Sequence, residues 1–98
     1  MDTILVLKAL ANDKRLKILD YLKAPKKHFT STHCDLEVDG VCVGLIEQKI
    51  GLSQSTVSAY LLQLQQANLI TMERRSQWTY CKRNEKTFRE LSTLLKQL

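Results

Sequence analysis

The chain has 98 residues, 44% hydrophobic and 26% charged, a balance that excludes a disordered segment and suits one domain with one core. Fifteen Lys and Arg against ten Asp and Glu give a net charge of +5, which favours an anionic partner. No apolar run approaches the roughly 18 residues of a membrane span, three cysteines make no even disulfide framework, and Met1-Asp2-Thr3-Ile4 lacks the basic start of a secretory signal, so a cytoplasmic chain is expected.

Ile4, Leu7, Leu10 and Ala11 keep helical spacing and predict a first helix over 3–11. Asn12-Asp13 interrupts it and offers an N-cap for a second helix, with Leu16, Ile18, Leu19 and Leu22 as its apolar stripe. That helix should end at Ala24, because Pro25 disfavours a helical predecessor. Residues 25–40 read as a long loop, with room for a short strand. Cys42, Leu45, Ile46, Lys49 and Ile50 restore helical spacing over 41–50.

Gly51 suits a left-handed C-cap, and Ser53 is placed to cap a helix from Gln54 to about Ala67. Val57, Leu61 and Leu64 form its buried stripe, while Gln54, Ser55, Ser58, Gln65 and Gln66 fall away from it. Two alternating runs, 69–74 and 77–82, flank Arg75-Ser76 and predict a β-hairpin. Trp78 and Tyr80 share a face and are expected in the core. Asn84 can cap a last helix carrying Phe88, Leu91, Leu95 and Leu98, more apolar surface than one small domain readily covers.

Charge is unevenly placed. Residues 1–50 hold 8 basic and 7 acidic groups, whereas 51–98 hold 7 and 3. The stretch from His28 to Gln48 has no Lys or Arg, but carries Asp35, Glu37, Asp39 and Glu47. A helix, a glycine turn and a second helix over about 41–67, followed at once by a hairpin, is the order of a winged helix-turn-helix. In that arrangement the second helix enters the DNA major groove with its N-terminal residues at base edges. Gln54, Ser55, Thr56 and Ser58 supply short hydrogen-bonding groups there. Arg74, Arg75 and Gln77 at the hairpin tip suit phosphates or a neighbouring minor groove.

The run Gly51-Leu52-Ser53-Gln54-Ser55-Thr56-Val57-Ser58, with Leu61, Leu64 and Ala67-Asn68-Leu69-Ile70, resembles the recognition-helix signature of the ArsR/SmtB repressors. Leu10 to Leu19 is similar to the start of that family's second helix, and Arg74 to Tyr80 to its wing. The resemblance spans nearly the whole chain. It implies a mainly α winged helix-turn-helix with a small β-hairpin, covering 1–98. It implies a homodimer paired through helices at about 3–11 and 84–98. It also implies repression at an imperfect palindrome of double-stranded DNA, relieved by an effector.

There are departures. Ala59-Tyr60 stands where the family often has histidine, which makes Tyr60 a further candidate contact. Ser76 stands for a usual Gly, and Gln77 often for Arg. Cys42-Val43-Gly44-Leu45 retains one thiol of a Cys-Val-Cys-Asp metal motif, and residues 84–98 contain no His. Both familiar metal sites of the family are thus expected to be missing. For the loop, three readings stand side by side. One is a plain solvated loop; one is redox control through Cys34 and Cys42, with His33 beside the thiol; one is a metal ion held by His33, Cys34 and Cys42. Cys81 is expected to be packed or half-exposed. A protein–protein adaptor is the alternative to DNA binding, and should expose an apolar face on the second helix of the pair. No carboxylate pair, phosphate-binding glycine loop or nucleophile–base arrangement suggests an enzyme.

Overall fold

A computed structural model describes all residues, 1–98. Six helices and three strands follow in chain order. They are α1 (Thr3–Leu10), α2 (Asp13–Lys23), α3 (Pro25–His28), β1 (Val41–Cys42), α4 (Val43–Ile50), α5 (Gln54–Gln66), β2 (Ile70–Arg75), β3 (Trp78–Arg83) and α6 (Glu85–Gln97).

The helix starts follow from their caps. Asp2 accepts from the Leu5 amide and opens α1. The Asn12 carboxamide accepts from the amides of Lys14 and Arg15 and opens α2. Pro25 stops α2 at Lys23 and then serves as the first residue of α3, where a missing N–H costs nothing. The loop predicted over 25–40 therefore begins with a short helix. Gly51 closes α4 in the left-handed conformation at φ +73°, and Ser53 accepts from the Thr56 amide to open α5. Asn84 departs from expectation. It precedes α6, but its side chain makes no capping bond; its backbone carbonyl accepts from Thr87 and Phe88 instead.

The sheet is antiparallel in the order β1-β3-β2. The helix predicted over 41–50 starts two residues later than expected. Val41 and Cys42 pair with Cys81 and Tyr80, so this edge of the hairpin claims them as a third strand. Gly40 makes the approach possible: at φ +99°, an added Cβ would lie 2.6 Å from the Cys81 carbonyl oxygen.

The core gathers Ile18, Ile46, Val57, Leu61, Leu64, Leu69 and Ile70, all but closed to solvent. The α5 stripe is buried as its spacing predicts. In α2 Ile18, Leu19 and Leu22 are buried as expected, whereas α1 buries a different face from the one read in the sequence. In α1 Val6 and Ala9 face inward, leaving Ile4 and Leu7 61% and 41% exposed. In α2 Tyr21 joins the core, whereas Leu16 stays exposed. The α1 spacing identified an apolar stripe correctly, but that stripe lies on the outside. In α6 Leu91 is buried, while Leu95 and Leu98 are exposed.

Candidate nucleic-acid interface

The start of α5 presents a polar, solvent-facing end. Gln54, Ser55 and Ser58 are exposed, and Thr56 is half-buried. The Ser53 hydroxyl donates to Thr56 Oγ1 at 2.8 Å and lies 3.3 Å from the Ser55 hydroxyl. Thr56 is therefore partly committed to the cap, which leaves Gln54, Ser55 and Ser58 as the freest hydrogen-bonding groups. The unpaired amides of the first turn add positive potential at this end, which favours a nearby phosphate. Tyr60 is different. Its ring is half-buried, packs against the core and lies under the Arg15 guanidinium, 5.4 Å from centroid to Cζ. Arg15 in turn donates to the carbonyls of Ala9 and Lys8, tying α2 to α1.

Immediately after α5, Asn68 turns the chain with φ +58°, and β2 begins at Ile70. The β2–β3 hairpin pairs Arg74 with Thr79 and Arg75 with Trp78, so the tip is a two-residue turn, Ser76-Gln77. Ser76 sits at φ +56°, a conformation in which glycine is at ease and serine is strained. Arg74 and Gln77 are exposed, and Arg74 makes no ion pair.

Arg75 is held from the opposite direction. Its NH1 donates to Asp39 Oδ1 at 3.0 Å and its NH2 reaches the Asp39 carbonyl at 3.4 Å. Nε lies 3.5 Å from Glu73, and the guanidinium covers the Tyr80 ring at 4.4 Å. The loop forms this contact through a closed turn. Asp35 accepts from the amides of Glu37 and Val38, and the Asp35 amide donates to Asp39 Oδ2 at 2.7 Å. These amides hold the Asp35 carboxyl below its ordinary range. The Asp35 amide first, and then Arg75, do the same for Asp39, while Asp39 pushes Arg75 up. Sequence reading missed Asp39 as the partner of the wing. The signal was present as an acidic run in one segment and a basic tip in another.

The loop residues singled out for sensing are placed but not assembled. The His33 ring stacks on Trp78, with centroids 4.5 Å apart and planes 25° apart. Trp78 is thus 38% exposed under a histidine rather than buried, a correction to its expected place in the core, whereas Tyr80 is buried. Cys34 is half-buried, its thiol near Ser31 Oγ at 3.2 Å and the Gly40 carbonyl at 3.8 Å. Cys42 is buried in β1. All three thiols are free, and no three His, Cys, Asp or Glu side chains converge as a metal-holding set. The structure thus does not bring His33, Cys34 and Cys42 together as one ligand set. Cys81 is fully buried, and burial pushes its thiol up to about 12.

No helix is long and apolar enough to cross a membrane. No protein-family model matches the chain. It is 44% identical over 97 residues to an uncharacterized HTH-type transcriptional regulator, YbzH, of Bacillus subtilis, covering 98% of this chain and 97% of that protein. It is 36% identical over 89 residues to the putative arsenical resistance operon repressor ArsR2 of Halobacterium salinarum, covering 91% of this chain and 65% of that protein. Its backbone is similar to that of HlyU from Vibrio cholerae, with a TM-score of 0.67 at 25% identity over 97% of this chain and 88% of HlyU.

Proposed function

The chain belongs to the ArsR/SmtB-type winged-helix family of DNA-binding transcriptional regulators, and we propose that it is a cytoplasmic homodimeric repressor that leaves a palindromic operator when an effector binds. One observation carries this reading. The capped, polar start of α5 and the basic tip of the hairpin lie in one connected unit, in which β1 pairs with β3 and runs directly into α4, the helix before α5. Gln54, Ser55 and Ser58 then read base edges, and Arg74 and Gln77 hold backbone phosphate. Thr56 contributes through the cap, and Tyr60 supports the helix from behind. Leu62 is the one large apolar side chain that α5 exposes, which gives an adaptor little to hold. The relatives are named as transcriptional regulators, and nothing in the site offers an enzyme's acid, base or nucleophile.

Pairing of two copies is supported by Ile4 and Leu7 on α1 and by Leu95 and Leu98 on α6, all large apolar side chains left in water by the single chain. Fluorescence anisotropy at one stated salt concentration, using the duplex upstream of the coding sequence, tests the reading. Binding of two protomers per duplex, tighter than to scrambled DNA, is expected. Equal affinity for both duplexes would count against a specific repressor.

A further inference from the structure

Between the end of α2, α3, the 35–39 turn and the far end of β3 lies a cleft of about 560 Å³, within the range of small-molecule sites. Its apolar lining comes from Leu22, Leu36, Val41 and Cys81, each at least nine-tenths buried. The Cys81 thiol is neutral at physiological pH and behaves as an apolar group. Around this lining stand five cations, Lys23, Lys26, Lys27, Lys82 and Arg83, against two acids, Glu37 and Glu85. Lys26 is matched by Glu37 at 3.4 Å and Arg83 by Glu85 at 3.0 Å, while Lys82 is bonded to the Val38 carbonyl. Lys23 and Lys27 are exposed and have no acidic partner.

We propose that this cleft binds a small organic anion with an apolar body, and that it is the effector site of the repressor. An apolar floor with surplus lysines at its edge matches a molecule that buries a hydrocarbon part and leaves a carboxylate or phosphate to the cations. The same short turn that walls the cleft through Leu36 and Glu37 also carries Asp39, which holds Arg75 of the wing. An anion that displaces Glu37 from Lys26 shifts this turn, and with it the partner of a wing arginine. The effector half of the proposal rests on the repressor reading; the binding half does not.

Sodium octanoate is the probe, with octanol as its uncharged twin and inorganic phosphate as its headgroup alone. The binding arm uses the full chain without DNA, followed by NMR of the Leu36 and Val41 methyl groups. Saturable shifts with octanoate are expected, with affinity about tenfold above octanol and above phosphate. The K23Q/K27Q variant, altered at two exposed and unpaired positions, should lose most of that advantage. Equal binding of octanol, no saturation, or unchanged octanoate affinity in the variant would each overturn the site. So would a loss of duplex affinity in K23Q/K27Q without any octanoate binding, which would make these lysines phosphate contacts of DNA. In the coupling arm, octanoate should lower affinity for the upstream duplex at least about fivefold. Octanoate binding with no change in duplex affinity would overturn the effector role. Failure of the protein to prefer that duplex at all would overturn the repressor reading and leave the cleft to be decided by the binding arm.

Discussion

Asp39 and Arg75, 36 positions apart, meet at 3.0 Å and tie the acidic loop to the tip of the wing. Arg75 is exposed and Asp39 half-buried at the surface, so the pair contributes little to stability. Its effect is on availability, because a guanidinium facing a carboxylate is less free to meet phosphate. Asp39→Asn should release Arg75. The expected result is tighter binding to all duplexes and a slope of log affinity against log salt steeper by about one. An unchanged slope, measured by anisotropy at four or more salt concentrations, would mean that Arg75 does not reach DNA even when free.

The two wing arginines should differ. Arg74 is exposed and unpaired, so Arg74→Ala is expected to weaken binding uniformly across sequences and to flatten the salt slope by about one. Arg75→Ala should cost less, since its charge is already met by Asp39 and Glu73. Parallel salt titrations of both variants settle the order. A larger loss from Arg75→Ala would show that the clamp opens on DNA.

Gln54 stands exposed just after the Ser53 cap and is the best candidate for a bidentate base contact. Gln54→Ala should relax preference at one base step by about 1–3 kcal/mol and leave non-specific binding nearly unchanged. Competition between single-base operator variants measures it. An unaltered ranking of those variants would remove Gln54 from the readers.

Acid should loosen the 35–39 turn. The folded-state pKa values of Asp35 and Asp39 lie below the ordinary carboxylate value of about 3.9. Their contribution is therefore complete above that value and is lost as pH falls through the depressed ones. Near neutral pH the turn is intact and insensitive to pH. Amide exchange of Val38 should stay protected, after correction for intrinsic rate, down to about pH 4 and fade only below it. Fading already near neutral pH would show that these two carboxylates do not hold the turn.

Ser76 offers a stabilising change. It occupies a left-handed conformation at the tip, which costs an L-residue roughly 1 kcal/mol that glycine does not incur. Ser76→Gly should raise the thermal midpoint by a few degrees, unless the freer unfolded chain offsets the gain. Calorimetry of the two proteins provides the check, and a lower midpoint would mean that unfolded-chain entropy outweighs the relief of strain.

Local signals in the sequence were strong where a cap or a turn residue fixed them. Asn12, Gly51 and Ser53 all marked boundaries that the fold respects, and the hairpin turn predicted at Arg75-Ser76 falls one residue later, at Ser76-Gln77. The stripe of Val57, Leu61 and Leu64 is buried as its spacing implies. Periodicity found the apolar stripe of α1, but it could not say that Ile4 and Leu7 face outward, because it is blind to which side has a neighbour. The strand at Val41–Cys42 was hidden for a similar reason: two residues carry no period, and their pairing with β3 lies about forty positions away. The site was half legible. The polar start of α5 and the basic tip could be read in order along the chain. The Asp39 clamp, the His33–Trp78 stack and the basic cleft join segments far apart in sequence, and no local pattern says which of those segments meet.

Val41 and Cys42 serve two elements at once, as the third strand of the sheet and as the lead into α4. The hairpin and the helix pair are consequently joined at the base of the sheet as well as along the chain. A reader tied together in this way favours a duplex that bends to meet it. Operators should then be selected partly for pliant pyrimidine–purine steps at positions that no side chain touches, and stiff A-tracts at those positions should weaken binding although every contacted base is retained.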